Sequence, residues 1–179
     1  IGTGEVDLYK AFAWRNWQLV RPTGRIGVVL PRSALAAKGS TRWRTTIINE
    51  GSFEDVCFLA NTGGWVFDEV DHRYTVCLTT ISRASGLRTG MSGPFHSLSE
   101  FTRDRDVRVD VSSAQFLSWS ESASFPNLPS ASSVALIQTM KKHPPLDASG
   151  EFEFQPTTEL HPTADRERFN TDLTRTDLT

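Results

Sequence analysis

The segment Arg25-Ile26-Gly27-Val28-Val29-Leu30-Pro31 constrains the fold more than any other stretch of this 179-residue chain. Between Arg25 and Pro31 no side chain is polar, so a strand built here turns water away on both faces. Pro31 lacks the ladder donor and ends the pairing. A strand apolar on both faces belongs in the middle of a helix-covered parallel sheet, with Gly27 allowing a neighbouring element to come close. Helices are at hand on either side. Tyr9, Phe12, Ala13, Trp17 and Val20 recur at spacings of three and four, which places them on one helix face. Glu5 and Asp7 stand where the helix dipole favours carboxylates, and Pro22-Thr23-Gly24 supplies the turn after it.

Residues 32–39 read as a loop with a short helical turn. Ser40 is placed to cap a helix that buries Trp43, Ile47 and Ile48 and stops at Gly51. Residues 53–59 and 74–81 are rich in β-branched and aromatic side chains and predict two strands. The connection between them, 60–74, is long for a hairpin, and long ordered connections often carry function. Residues 84–94 have the Gly and Ser content of a boundary loop. Beyond them Val107, Val109 and Val111 alternate with charged residues as in a half-exposed strand, and Phe125-Pro126-Asn127-Leu128-Pro129 is a rigid turn. Ser132 or Ser133 is placed to cap a helix carrying Val134, Ile137 and Met140, which Pro144-Pro145 ends. Phe152 and Phe154 alternate once, and 170–179 is expected to be loosely ordered.

A net charge of −2 gives no global basic field. Locally the sign is uneven: Arg15, Arg21, Arg25, Arg32, Lys38, Arg42 and Arg44 occur with no Asp or Glu between the first and the last. That run is either a solvated face or a surface that contacts phosphates. Cys57 and Cys77, both in strand-like segments, fit two reduced core thiols of a cytoplasmic protein, a bridge across neighbouring strands being the alternative. His72, His96, His143 and His161 have no metal-ligand spacing. His72 with Asp71 or Glu69 can be drawn as an acid–base group, although surface loops often hold such residues. Gly2-Thr3-Gly4 is too short to cradle a phosphate, and no apolar run approaches the ~20 residues of a membrane-spanning helix.

Asp7-Leu8-Tyr9, Pro22-Thr23-Gly24-Arg25, the strand Ile26-Gly27-Val28-Val29-Leu30-Pro31 and Val66-Phe67-Asp68 before the last strand occur in one order. In that order they resemble the later motifs of DNA adenine-N6 methyltransferases from restriction-modification and phage-defence systems. The resemblance covers about residues 5–83. It implies an α/β fold, the second half of a Rossmann-like methyltransferase sheet whose last strand is antiparallel. The domains expected are 1–83 for that half, 84–94 as a linker and 95–179 as a small irregular α+β appendage. Within the appendage, Glu159-Leu160-His161-Pro162-Thr163-Ala164-Asp165-Arg166 is similar to the junction into a target recognition domain.

The family's Gly-rich turn for S-adenosylmethionine and its Asn-Pro-Pro-Tyr loop for the target amino group are not in the 179 residues. The resemblance therefore implies that both lie upstream, in a missing N-terminal half of the catalytic domain. It further implies that the chain alone binds no cofactor and holds no catalytic residue, and that its partner in the intact protein is double-stranded DNA. A nuclease domain or subunit is compatible with the same family. One position carries over: Phe67 matches the aromatic that covers the second face of an extruded adenine, with Trp65 next in line. From local pattern alone Phe67 reads as a core residue at a strand end. Arg32 and Ser33, at the carboxyl edge of the apolar strand where open sheets bind ligands, and Arg42 and Arg44 are the candidates for the DNA backbone. Two other functions fit the residues: a non-catalytic DNA-binding or assembly module, and a methyltransferase acting on RNA, protein or a small molecule.

Overall fold

The computed structural model describes residues 7–86, 88–128 and 130–144. Helix α1 (Leu8–Leu19) leads through a turn into strand β1 (Arg25–Pro31), the short helix α2 (Arg32–Ala36) and, after a 3₁₀ turn at Lys38–Ser40, helix α3 (Thr41–Glu50). Strand β2 (Ser52–Ala60) and strand β3 (Thr75–Ser82) follow, then β4 (Arg88–Phe95), α4 (Leu98–Asp104), β5 (Val109–Ser112), α5 (Ser113–Trp119) and α6 (Ala131–Met140). The fold is α/β, with a five-stranded mixed open sheet in the order β1-β3-β2-β4-β5. Strand β3 runs antiparallel to both β1 and β2, β2 and β4 are parallel, and β4 and β5 are antiparallel.

The three expected strands share this sheet, and the last of the three is antiparallel to its neighbours. The position of β1 differs from the expectation. Among the described residues it lies at the sheet edge and pairs with β3 alone, so only alternate side chains are covered. Ile26, Val28 and Leu30 pack toward the helices, whereas Val29 is 54% exposed. Gly27 has nothing within 4 Å of where a Cβ would sit, so it serves no close approach among the described residues.

Register divides the sheet into two faces. Leu30, Cys77 and Phe58 lie side by side on one, as do Val28, Thr79 and Val56. This face packs against Ala13 and Trp17 of α1, Leu35 of α2, Trp43 and Ile47 of α3, and Phe116 of α5. Phe12, expected in the buried stripe of α1, is 64% exposed. The other face carries Cys57, Leu59 and Phe95, covered by Trp65, Val66 and Phe101. Cys57 and Cys77 therefore point to opposite faces, and both are free and buried.

Gly51 ends α3 without the left-handed conformation of many helix termini, since its φ is −164°. Its value lies in close approach: a Cβ would come 2.3 Å from the Ser82 carbonyl oxygen and 2.6 Å from the Trp17 ring. Ser40 precedes α3 but its side chain makes no cap. Ser130, rather than Ser132 or Ser133, caps α6 by accepting from the Ser133 N–H.

The stretch expected to be a boundary, 84–94, is a correction of larger consequence. Most of it is β4, paired on one side with β2 and on the other with β5, and Thr89, Gly90, Met91 and Ser92 are buried. Gly93 adopts φ +82°, and a Cβ there would stand 2.3 Å from the Phe58 carbonyl oxygen, so glycine lets β4 run beside β2. Residues expected in a separate appendage join the main core as well: Val111, Phe116, Phe125, Leu128 and Val134 belong to the same cluster as Trp17 and Phe53. All the described strands and helices lie in one compact unit, Ile1–Lys142. The expectations for Phe152, Phe154, 159–166 and 170–179 lie outside the described residues.

Candidate functional site

The connection from β2 to β3 is held by one side chain. Asn61 is fully buried, and its carboxamide makes four hydrogen bonds. Nδ2 donates to the Phe67 and Val70 carbonyls, both at 2.8 Å, while Oδ1 accepts from the Val66 N–H at 3.1 Å and the Phe67 N–H at 3.0 Å. The Asn61 backbone N–H donates to the Tyr74 carbonyl at 3.0 Å, closing the loop at its base. Gly63 and Gly64, at φ +69° and +76°, take the left-handed backbone that the turn after Asn61 needs.

Within this frame the two expected stacking residues part company. Trp65 donates its indole N–H to the Ala60 carbonyl at 2.7 Å and rests near Phe101, ring centroids 6.4 Å apart, as part of the second core cluster. Its ring is half-buried and engaged by protein. Phe67 is 45% exposed, so the reading of it as a core residue gives way to an accessible ring. Around it the connection is acidic: Asp68, Glu69, Asp71 and His72 line an open hollow of about 360 Å³ with Gly63 and Gly64. His72 Nδ1 stands 3.9 Å from Asp71 Oδ1 with its side chain 73% exposed.

Asp71 is committed to Arg73 instead. Arg73 Nη2 lies 2.7 Å from Asp71 Oδ2, and the Arg73 backbone N–H donates to Oδ1 at 2.9 Å. The Arg73 side chain, then its backbone N–H, holds the Asp71 carboxyl well below the usual carboxylate range. Beyond this pair, on the side of β1, opens a second groove of about 460 Å³ lined by Arg32, Ser33, Ala36, Arg73, Tyr74 and Thr75. Arg32 and Ser33 reach it because α2 starts at the residue directly after β1 ends, which puts its first turn at the carboxyl edge of the sheet. Arg32 donates from Nη1 to Asn127 Oδ1 at 2.5 Å, and its guanidinium carbon lies 5.5 Å from the Phe58 ring centroid. Tyr74 is 60% exposed.

The sequence-predicted residues thus divide. Arg32 and Ser33 share the groove; Phe67, Trp65 and Arg42 are not among its lining residues. Arg42 is exposed on the first turn of α3. Arg44 is corrected outright as a backbone contact, being wholly buried. Its guanidinium donates to the carbonyls of Ala34 at 2.8 Å, Ala37 at 3.0 Å, Ala123 at 3.1 Å and Ser122 at 2.7 Å, so it ties α2 and α3 to the loop after α5. Burial pushes this guanidinium down to about 10, which leaves it charged at neutral pH yet with no surface to offer a phosphate. Arg73 and Tyr74 were missed. Tyr74 stands directly before a β-branched run and reads as the first strand residue, while Arg73 is hidden among the charges of a polar loop.

Among the described residues no group of His, Cys, Asp and Glu is arranged to hold a metal ion, and no helix is long and apolar enough to cross a membrane. No protein-family model matches the chain, and no curated protein matches it.

Proposed function

We propose that the chain is part of the catalytic domain of an S-adenosylmethionine-dependent DNA adenine-N6 methyltransferase acting in a restriction-modification or phage-defence system. It contributes strands of a Rossmann-like sheet and one wall of the pocket for an extruded adenine. The observation that carries this reading is the strand order β1-β3-β2, in which the strand after the long connection returns antiparallel between its two partners. The motif resemblance implies an antiparallel strand at this point; in the chain β4 and β5 then extend the sheet on the far side of β2. Among the described residues β1 is paired on one side only, and with the exposed Val29 this fits a sheet continued by further strands and helices. In this reading the cofactor turn and the Asn-Pro-Pro-Tyr loop come from other sequence. The chain alone then binds no S-adenosylmethionine, transfers no methyl group and acts in the cytoplasm only within its parent.

Phe67 is the residue that covers the second face of the adenine, because its ring is exposed while its backbone is held on both sides by Asn61. The test is made in the intact parent enzyme. Phe67→Ala removes a stacking contact of about 1–3 kcal/mol. That amounts to roughly a ten- to hundred-fold loss of methylation at limiting DNA. Phe67→Trp retains much of the activity, and cofactor affinity and melting temperature stay near the parent's. Unchanged methylation by a well-folded Phe67→Ala enzyme removes Phe67 from the site. A competing reading, a DNA-binding module without catalysis, draws on the groove formed by Arg32, Arg73 and Tyr74. Methyl transfer to adenine by the parent protein rejects it.

A further inference from the structure

We infer that the groove between the end of β1 and the start of β3 binds one unstacked nucleotide of a DNA strand, with its base on Tyr74 and its phosphate on Arg73, Ser33 and Arg32. The site is separate from the Phe67 position, and the choice of DNA rests on the methyltransferase reading. At about 460 Å³ the groove is large enough for a nucleotide, falling among ligand sites of roughly 300–1,000 Å³. An exposed tyrosine alone would mean little. Here it shares a groove with two guanidinium groups, and no carboxylate is among the described residues lining it.

Each group is held for the role. The Tyr74 N–H donates to the Asp71 carbonyl and its carbonyl accepts from the Asn61 N–H, both at 3.0 Å, so the ring projects from a fixed backbone. Asp71 engages Nε and Nη2 of Arg73 and sets the plane of the guanidinium. Nη1 makes no hydrogen bond among the described residues and is left for a phosphate oxygen. Arg32, anchored on Asn127, adds a positive charge that does not need to be ordered on binding. Ser33 is exposed and brings a hydroxyl. Electrostatics fix which side of the connection DNA can follow. Asp68 and Glu69 repel a phosphate on the face of the acidic hollow, whereas Arg32 and Arg73 attract one on the groove face. Bases stack on any aromatic face, and arginines beside the ring secure the backbone.

The experiment is titration of the 179-residue chain with a labelled single-stranded oligodeoxynucleotide of mixed sequence, followed by fluorescence anisotropy over a series of salt concentrations. Tyr74→Ala is expected to weaken binding roughly ten- to hundred-fold, and Tyr74→Phe to bind like the parent. Arg73→Ala should weaken binding and lower the salt slope by about one phosphate contact. Phe67→Ala should leave this binding unchanged, and all variants should melt with the parent because the altered side chains are exposed. Parental affinity in Tyr74→Ala overturns the inference, as does a blunt duplex of the same length binding as tightly as the single strand. The two readings fail separately. Loss of methylation in Phe67→Ala parent enzyme together with Tyr74-independent strand binding would sink the groove alone. Tyr74-dependent binding in a parent protein that transfers no methyl group would sink the methyltransferase alone.

Discussion

Replacing Asn61 should release the connection that presents Phe67 and Tyr74. The buried carboxamide makes four hydrogen bonds between 2.8 and 3.1 Å, all to backbone groups of Val66, Phe67 and Val70. A net contribution of about 1 kcal/mol per bond sums to about 4 kcal/mol. These bonds lie in partly buried surroundings, so some freed groups recover water, and Asn61→Ala is expected to cost about 2–4 kcal/mol. At roughly 4 °C per kcal/mol for a unit of this size, the melting temperature falls by roughly 8–16 °C. Asn61→Asp sharpens the test, because it keeps the shape and the oxygen that accepts from Val66 and Phe67 but turns a carboxylate oxygen toward the carbonyls of Phe67 and Val70. That repulsion raises the folded-state pKa of the introduced carboxyl above its unfolded value of about 3.9. The deficit is then full above the raised pKa and shrinks as pH falls through it. Calorimetric melting at several pH values measures both variants, and hydrogen exchange at the Val66 and Phe67 amides reports the loop itself. An Asn61→Ala protein that melts with the parent and protects those amides equally would refute the idea that this side chain organises the connection.

Arg44→Met replaces a buried cation by an apolar side chain of similar length and leaves the carbonyls of Ala34, Ala37, Ser122 and Ala123 without their donor. We expect a loss of about 3–5 kcal/mol in urea unfolding, with Arg44→Lys losing less; parental stability of Arg44→Met would show that the carbonyls find other partners. Burial raises both thiols, Cys77 to about 12, so the native protein should resist an alkylating reagent at pH 8 and react at both cysteines once unfolded. Mass spectrometry reads the outcome, and alkylation of the native protein at the rate of a free thiol would contradict the buried placement.

Much of the fold is legible residue by residue. The helices at 8–19 and 41–50 follow from apolar spacings of three and four, and the strands at 25–31, 52–60 and 75–82 follow from runs rich in apolar, β-branched and aromatic residues. Periodicity and turn chemistry are local signals, carried by residues that are neighbours in the chain. The resemblance of the motif order went one step further and implied that the last of these strands is antiparallel, as it is. The exposure of Phe67 was not legible locally: its pattern reads as a core residue at a strand end, and the ring is instead 45% exposed.

What only the tertiary structure decided are the choices made by distant partners. A Gly-, Ser- and Pro-containing stretch reads as a loop, yet β2 and β5 on either side complete its ladder and make it β4. Strand β1 is apolar enough for an interior place, but its pairing with β3 alone leaves Val29 outside. Arg44 looks like one more basic residue in a run. It is buried because carbonyls brought from 78 and 79 residues away converge on its guanidinium and replace the water it gives up. Arg73 and Tyr74 form a groove with Arg32 and Ser33 only because β3 lies beside β1, which puts the start of one strand next to the end of the other. The sequence alone determined the segments whose helix or strand signal is local, as at α1, α3, β2 and β3. Burial and pairing are settled by whichever surfaces the folded chain brings together, and no single segment contains that information.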